Sequence, residues 1–298
     1  MPGQLTRKAI GVQPEWLAQV PERVGDRRLP DGARVLFTGC GTSFHAALAC
    51  GRATPALDVV LAQGPEADVL VAISHEGVTQ LTLEAVRGFP GETWLITGAA
   101  ESAIAKQVDH VVVVTPEIEE SYCHTASYTC GVAAGRALQG EDVTGLATDV
   151  SREFDRDAFG ASEHDRFVVA GAGRDEATAL EAVLKLREGA HVAAEAHHTE
   201  QLLHGHLAAI DPSVRCFVLE GEGRAAERAV DAMRALGELG CDALLVPTTH
   251  PVVDIVRFQL LTCDLADARG IDPDMIRWDE EPWDRARQAQ DWTAPTDP

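Results

Sequence analysis

Three side chains in the second half of the chain have the types and spacing that proton transfer requires. Glu181, Lys185 and Glu188 occupy positions i, i+4 and i+7 of a helical pattern, so they share one helical face. A carboxylate beside a cation, with a histidine such as His204 close in space, can move a proton between adjacent carbon atoms. A surface Glu–Lys pair, which stabilises a helix by a few tenths of a kcal/mol, explains the same spacing. From these residues alone, the surface pair is the preferred interpretation.

Two predicted strand-to-helix junctions carry glycines and hydroxyls suited to an anion. Residues 39–45 read G-C-G-T-S-F-H, and residues 74–79 read S-H-E-G-V-T. Such a junction offers backbone N–H groups, hydroxyls and the positive end of a helix dipole. A tight turn with a capped helix start explains the first junction equally well, and a capped helix start is the preferred interpretation of the second. A dinucleotide site at the first is disfavoured, because the third glycine of its fingerprint is replaced by Phe44.

A third polar segment, residues 116–129, contains both tyrosines of the chain. His124 and Thr125 open its predicted helix. This segment suggests a wall that contacts a sugar, although a solvated loop would look the same.

Composition excludes several classes of function. With 47 acidic and 25 basic residues the net charge is −22, which repels nucleic acid and anionic membranes. No apolar run reaches the length of a membrane span, and no signal peptide is recognisable, so we expect a cytoplasmic protein. The seven cysteines form no C-x-x-C pair and the clustered histidines lack ligand spacing, so we predict no metal and no cofactor.

Short apolar runs alternate with helical patterns, which predicts an α/β fold with parallel sheets covered by helices. The predicted strands are 34–38, 69–74, 93–97, 110–114, 166–170, 214–219 and 243–246. The predicted helices are 43–52, 78–87, 102–106, 125–138, 176–188, 225–239 and 252–268. The acidic segment 140–163 separates two lobes, predicted at residues 1–148 and 149–298. The Trp-rich tail from Trp278 is predicted to pack on a neighbouring surface or to be partly disordered.

An internal repeat supports the two-lobe organisation. V-L-F-T-G-C-G-T-S (35–43) and F-V-V-A-G-A-G-R-D (167–175) both predict a strand, a G-x-G turn and a helix. Ligands of such folds bind at the carboxyl ends of the strands.

Taken together, these segments resemble the sugar-isomerase-domain (SIS) family, as found in the isomerase part of glucosamine-6-phosphate synthase. C-G-T-S (40–43), I-S-H-E-G-V-T (73–79), P-E-I (116–118), A-L-E-A-V-L-K-L-R-E (179–188) and H-G-H-L-A-A-I-D (204–211) resemble its successive motifs. The resemblance spans residues 30 to 272. It implies two flavodoxin-like lobes, each with a parallel sheet flanked by helices.

The resemblance also implies roles for individual residues. Glu188 would move the proton between C1 and C2, His204 would assist ring opening at a neighbouring subunit's site in a homodimer, and Lys185 would steady the charge of the site. The substrate would be a sugar phosphate, whose phosphate group Thr42, Ser43, Ser74 and Thr79 would hold. The predicted substrate-binding residues, which include neighbours of these hydroxyls and the third polar segment, are Cys40, Gly41, Thr42, Ser43, Ser74, His75, Glu76, Thr79, His124 and Thr125.

The leading hypothesis is therefore a phosphosugar or amino-sugar-phosphate isomerase that acts through an enediol, with a deglycase as a variant. A non-catalytic sugar-phosphate sensor is the alternative. Glu76 replaces the hydroxyl of the family's phosphate loop, so phosphate binding requires that His75 is protonated or that Glu76 turns away. No lysine follows Lys185 in the tail, and no glutaminase segment precedes the first lobe, so we expect no glutamine-dependent synthase activity.

Overall fold

Two parallel sheets of four strands organise the chain in a computed structural model, which describes residues 2–62, 65–156, 159–160 and 163–290. The first sheet has the order β1-β2-β3-β4 and the second β6-β5-β7-β8. The strands are β1 (Val35–Thr38), β2 (Val69–Ile73), β3 (Glu92–Thr97), β4 (His110–Val113), β5 (Arg166–Gly171), β6 (Ala193–His198), β7 (Val214–Leu219) and β8 (Asp242–Val246). The predicted α/β fold with parallel sheets is confirmed.

Helices flank both sheets. They are α1 (Gln4–Val24), α2 (Thr42–Cys50), α3 (Ala56–Leu61), α4 (Gln80–Gly88), α5 (Ala126–Leu138), α6 (Leu146–Glu153), α7 (Asp175–Ala190), α8 (Thr199–Leu203), α9 (Arg224–Glu238), α10 (Pro251–Asp254), α11 (Val256–Arg269) and α12 (Trp283–Arg287). Within the described ranges, no helix is long and apolar enough to cross a membrane.

The chain divides into two compact units. The first unit comprises residues 11–148 and the segment from Met275 onward, and the second comprises residues 149–274 and the N-terminal residues up to Ile10. The strand β2 is buried along its whole length in the first unit, as is β7 in the second. Strands covered on both faces need near-continuous apolar sequence, which explains why these runs were recognisable. Whether the units are independent lobes stays a prediction.

The two copies of the predicted repeat form the same tight turn. A Cβ on Gly39 would lie 2.8 Å from the carbonyl oxygen of Ser43, and a Cβ on Gly171 would lie 2.6 Å from that of Asp175. Each turn therefore requires glycine, because the entering helix passes directly over the end of its strand. In both copies the second glycine of the G-x-G also has positive φ, 55° in Gly41 and 62° in Gly173.

Some elements differ from the sequence predictions. The strand β6 was not predicted, although it pairs in parallel with β5. The long helix α1 was also missed, and the helix predicted at residues 102–106 is only a short 3-10 turn at Ala105–Gln107. In the tail, the Trp278 ring lies against Tyr122, with ring centroids 5.7 Å apart, and residues 291–298 lie outside the described part.

Candidate functional site

The hydroxyl-bearing junctions of the first unit lie at one edge of its sheet. The loops after β1 and β2 are neighbours, because these strands pair in parallel. Thr42 and Ser43 are half-buried at the start of α2, and Gly41 is exposed. The Cys40 sulfur is 3.7 Å from the Thr82 hydroxyl of α4, which joins the two loops. Burial raises the pKa of the Cys40 thiol, so this side chain enters the site as a neutral group.

The loop from Ser74 to Thr79 ends at the N-terminus of α4. Ser74 is buried, while Thr79 is exposed and its hydroxyl makes no capping hydrogen bond to α4. Gly77 has a φ of 66°, and a Cβ there would collide with the Ser102 hydroxyl at 2.0 Å. The first-turn N–H groups of a helix lack intrahelical acceptors, so this loop can present N–H groups and a hydroxyl to an anion.

The His75 ring is held in place and is neutral. Its Nε2 accepts a hydrogen bond of 2.8 Å from the Glu119 backbone N–H, which places the ring proton on Nδ1. Its backbone oxygen accepts hydrogen bonds from the Thr97 hydroxyl and the Gly98 N–H. Burial lowers the pKa of His75 to about 4, although Glu119 acts in the opposite direction. Protonated His75 therefore does not compensate the charge of Glu76, which is exposed.

Glu119 is a buried carboxylate that the sequence reasoning missed. Its Oε1 accepts hydrogen bonds from the Thr125 N–H at 2.7 Å and the Thr125 hydroxyl at 3.1 Å, and its Oε2 accepts one from the Ser127 N–H at 2.8 Å. The Nδ1 of His124 lies 3.8 Å from Oε2, which is beyond hydrogen-bond distance. Burial would raise the pKa of Glu119, but His124 and the Ser127 N–H outweigh burial and hold it at about 2. Glu119 is therefore ionised at neutral pH.

Glu119 also explains where the structure places His124 and Thr125, both predicted to contact the substrate. Thr125 is the N-cap of α5, yet its own side chain does not cap the helix. Glu119 takes that role, because an anion at a helix N-terminus satisfies the unpaired N–H groups and favours the helix dipole. Thr125 thus uses both its N–H and its hydroxyl within the protein, and His124 is half-buried beside it.

The predicted acid–base group of α7 is not a surface pair. Lys185 and Glu181 are fully buried, and the side chain of Glu188 is 23% exposed. The Lys185 Nζ is 2.7 Å from Glu188 Oε2 and 3.4 Å from Glu181 Oε1. One cation is therefore shared by two carboxylates, of which only Glu188 reaches solvent. A buried charge needs partners of this kind, so the surface-pair interpretation is wrong.

His204 lies in a separate charge network of the second unit. It is exposed, and its Nε2 is 2.8 Å from Glu200 Oε1. Glu200 also accepts hydrogen bonds from Arg228 at 2.7 and 3.2 Å. Hydrogen bonding to Arg228 lowers the pKa of the Glu200 carboxyl, with His204 contributing in the same direction. The imidazole of His204 is therefore exposed and paired with a carboxylate of its own unit.

The corresponding edge of the second sheet is acidic. Asp175 takes the position of Ser43 in the repeat, is fully buried and accepts a hydrogen bond of 2.9 Å from Thr248. Asp254 accepts hydrogen bonds from the Thr249 N–H and hydroxyl. Burial and the nearby Asp175 raise the pKa of Asp254 to about 7. Two buried carboxyl groups oppose an anion here, which favours the first sheet for phosphate.

Within the described residues, no group of three or more His, Cys, Asp or Glu side chains is arranged to hold a metal ion. The rings of His197 and His206, for example, stack on each other with centroids 4.2 Å apart.

Comparison with known proteins gives a match to a family model within the second half of the chain. Residues 161–258, which include Lys185, Glu188 and His204, match the family model described as the SIS domain. The chain contains a SIS domain. The resemblance inferred from the sequence is thereby confirmed.

Curated proteins align with most of this chain. It is 29% identical to the glutamine–fructose-6-phosphate aminotransferase [isomerizing] of Aeropyrum pernix, in an alignment that covers 91% of this chain and 55% of that protein. The chain spans about half the length of the curated relatives it matches. Among solved structures, the C-terminal domain of glucosamine-fructose-6-phosphate aminotransferase from Francisella tularensis has a TM-score of 0.78 at 18% identity, covering 91% of this chain and 98% of that one. Tagatose-6-phosphate ketose/aldose isomerase from Escherichia coli has a TM-score of 0.76 at 17% identity, covering 93% and 97%. These structures share the fold.

Proposed function

We propose that this protein binds a phosphorylated sugar or amino sugar and interconverts its aldose and ketose forms. The proposal is supported by a SIS domain that contains the candidate base, and by relatives whose names specify sugar phosphates. The single observation that carries it is the ion pair of Glu188 with the fully buried Lys185. Burying a lysine is costly for stability, but it can hold a partly exposed carboxylate in the orientation that a base needs.

The phosphate group is assigned to the first sheet. Thr42 and Ser43 at the start of α2, and Ser74 and Thr79 before α4, supply hydroxyls beside helix N-termini. These neutral donors are the local anion site that a chain of charge −22 needs. Because Glu76 is exposed and His75 is neutral, phosphate binding then requires that Glu76 point away from the bound group.

The proton transfer is assigned to Glu188. Its carboxylate would take the proton from C2 of an open-chain aldose, leaving a cis-enediolate. The hydroxyl proton would then move from O2 to O1, and the carboxylate would return its proton to C1 to form the ketose. Lys185, whose Nζ is 2.7 Å from Glu188 Oε2, would hold the carboxylate in one orientation. His204 would assist ring opening, and we assign it to the site of a neighbouring subunit in a homodimer. A deglycase reaction of a fructosamine phosphate would use the same base.

A panel of ligands tests the substrate class. Fructose 6-phosphate, glucosamine 6-phosphate and tagatose 6-phosphate are compared with their unphosphorylated forms in a thermal-shift titration. The proposal expects stabilisation by at least one sugar phosphate and none by its unphosphorylated partner. Thr79→Val should weaken that binding because it removes an anion-facing hydroxyl, whereas Thr144→Val, an exposed threonine elsewhere in the first unit, should not. Equal binding of both forms would contradict the phosphate assignment.

A non-catalytic sugar-phosphate sensor is the second candidate. It is favoured by Glu76, which adds a like charge to the phosphate loop, and by a tail without lysine. The sensor would bind sugar phosphates but convert none of them. Incubation with each ligand, followed by separation of aldose and ketose phosphates, distinguishes the two functions.

A further inference from the structure

Glu119 connects the loops after β2 and β4, and the proposed chemistry does not use it. Glu119 receives three hydrogen bonds on its carboxylate, from Thr125 and Ser127, and donates its own N–H to His75. Of the three neighbouring glutamates, only Glu119 is buried, with 5% exposure, whereas Glu117 and Glu120 are exposed. A carboxylate of this kind is costly to bury, so it must be fully paired where it lies.

We propose that Glu119 is a positioning residue that joins the Ser74–Thr79 loop to the start of α5 and so preorganises the ligand-binding edge of the first sheet. The inference rests on the proposed function for the identity of the ligand, but not for the connection itself. His75 is adjacent to Ser74 in the phosphate loop, and the Glu119 N–H fixes its ring. On the other side, the carboxylate fixes the first turn of α5. A shift at Glu119 therefore moves both loops together.

Glu119→Gln is the diagnostic change. The amide keeps the shape and one accepting oxygen, but its NH₂ group faces a backbone donor, either the Thr125 N–H or the Ser127 N–H. The buried donor is then unsatisfied, so the loop must loosen. Glu117→Gln is the matched control, because it makes the same change on an exposed side chain two residues away. Thr125→Val is a milder second variant that removes only the hydroxyl donor.

An NMR titration of His75 in the ligand-free protein distinguishes two roles of Glu119, namely holding the loop in place and acting only through its charge. The Glu119 charge raises the pKa of His75 and burial lowers it. If Glu119 acts only through its charge, Glu119→Gln lowers this pKa further below about 4. If Glu119 holds the loop closed, Glu119→Gln exposes the ring and moves its pKa up toward the ordinary value of about 6.5. A rise is expected, and an unchanged or lower pKa would overturn the proposal.

Ligand binding completes the test, with fructose 6-phosphate or the best ligand of the panel as probe. Glu119→Gln should weaken binding about tenfold or more, Thr125→Val less, and Glu117→Gln not at all. Circular dichroism verifies that each variant is folded. Unchanged affinity with a raised His75 pKa would refute the link between Glu119 and the ligand site. If the wild type binds no sugar phosphate, the proposed function fails, and the His75 titration still decides the role of Glu119.

Discussion

Removal of the buried lysine tests the electrostatic account of α7. In Lys185→Met the side chain keeps a similar shape, but the cation that lies 3.4 Å from Glu181 and 2.7 Å from Glu188 is lost. Glu181 is fully buried, so it would be left without that partner, which costs about 3–5 kcal/mol of unfolding free energy. Domains are stabilised by about 5–15 kcal/mol, so the loss should be evident in urea.

The companion variants make the interpretation specific. Glu181→Gln in the Lys185→Met background removes the buried carboxylate that has lost its lysine, and the double variant should be more stable by about 1–3 kcal/mol than the sum of the single changes predicts. Lys106→Met is the control, since Lys106 is exposed, and should alter stability by less than about 0.5 kcal/mol. All five tryptophans lie outside residues 149–274, so far-UV circular dichroism rather than fluorescence must follow unfolding of the second unit. A decrease in unfolding free energy of less than about 1 kcal/mol in Lys185→Met would contradict this electrostatic explanation. So would a double variant whose unfolding free energy equals the sum of the single effects.

Two further predictions concern stability. The folded-state pKa of Asp254 is raised to about 7, so the folded state favours its protonated form. Its contribution to the free energy of unfolding therefore falls as pH rises from about 4 through 7, by up to about 4 kcal/mol. Asp254→Asn should therefore have a higher free energy of unfolding than the wild type in urea at pH 8. Its unfolding free energy should also depend less on pH than that of the exposed control Asp155→Asn. An unchanged pH dependence in Asp254→Asn would contradict the raised pKa. Gly171→Ala should cost about 1–3 kcal/mol, because its Cβ would meet backbone at 2.6 Å. Gly237→Ala, which meets open space in α9, should instead stabilise by about 0.5–1 kcal/mol, and equal effects would contradict the repeat geometry.

The sequence predicted seven of the eight strands, and β6 was the one that it missed. Strands β2 and β7 are covered on both faces, so their apolar runs are unmistakable. In contrast, β6 reads A-A-E-A-H-H, and only its second residue is buried, so it contains no continuous apolar run. Its backbone pairing, not its side chains, makes it a strand, and a single sequence does not display such pairing.

The sequence predicted which loops carry the candidate site residues, but not which charged side chains of the site are buried. The run P-E-I-E-E contains three glutamates, and nothing in their spacing shows that only Glu119 turns inward. The spacing of Lys185 and Glu188 fits a surface helix equally well, and only the packing around α7 makes the pair internal. The burial that neutralises His75 is likewise a tertiary effect.

Hydrogen exchange at the sugar tests the central claim most directly. The wild type is incubated in D₂O with a sugar phosphate that it binds, and deuterium at C1 and C2 is followed by NMR beside Glu188→Gln. The account predicts incorporation by the wild type and a rate lower by about 10² to 10⁴ in Glu188→Gln, which keeps the shape but takes up no proton. Affinity should change little, since the carboxylate acts mainly in the transition state. Binding without any exchange in the wild type would contradict the isomerase and leave the sensor.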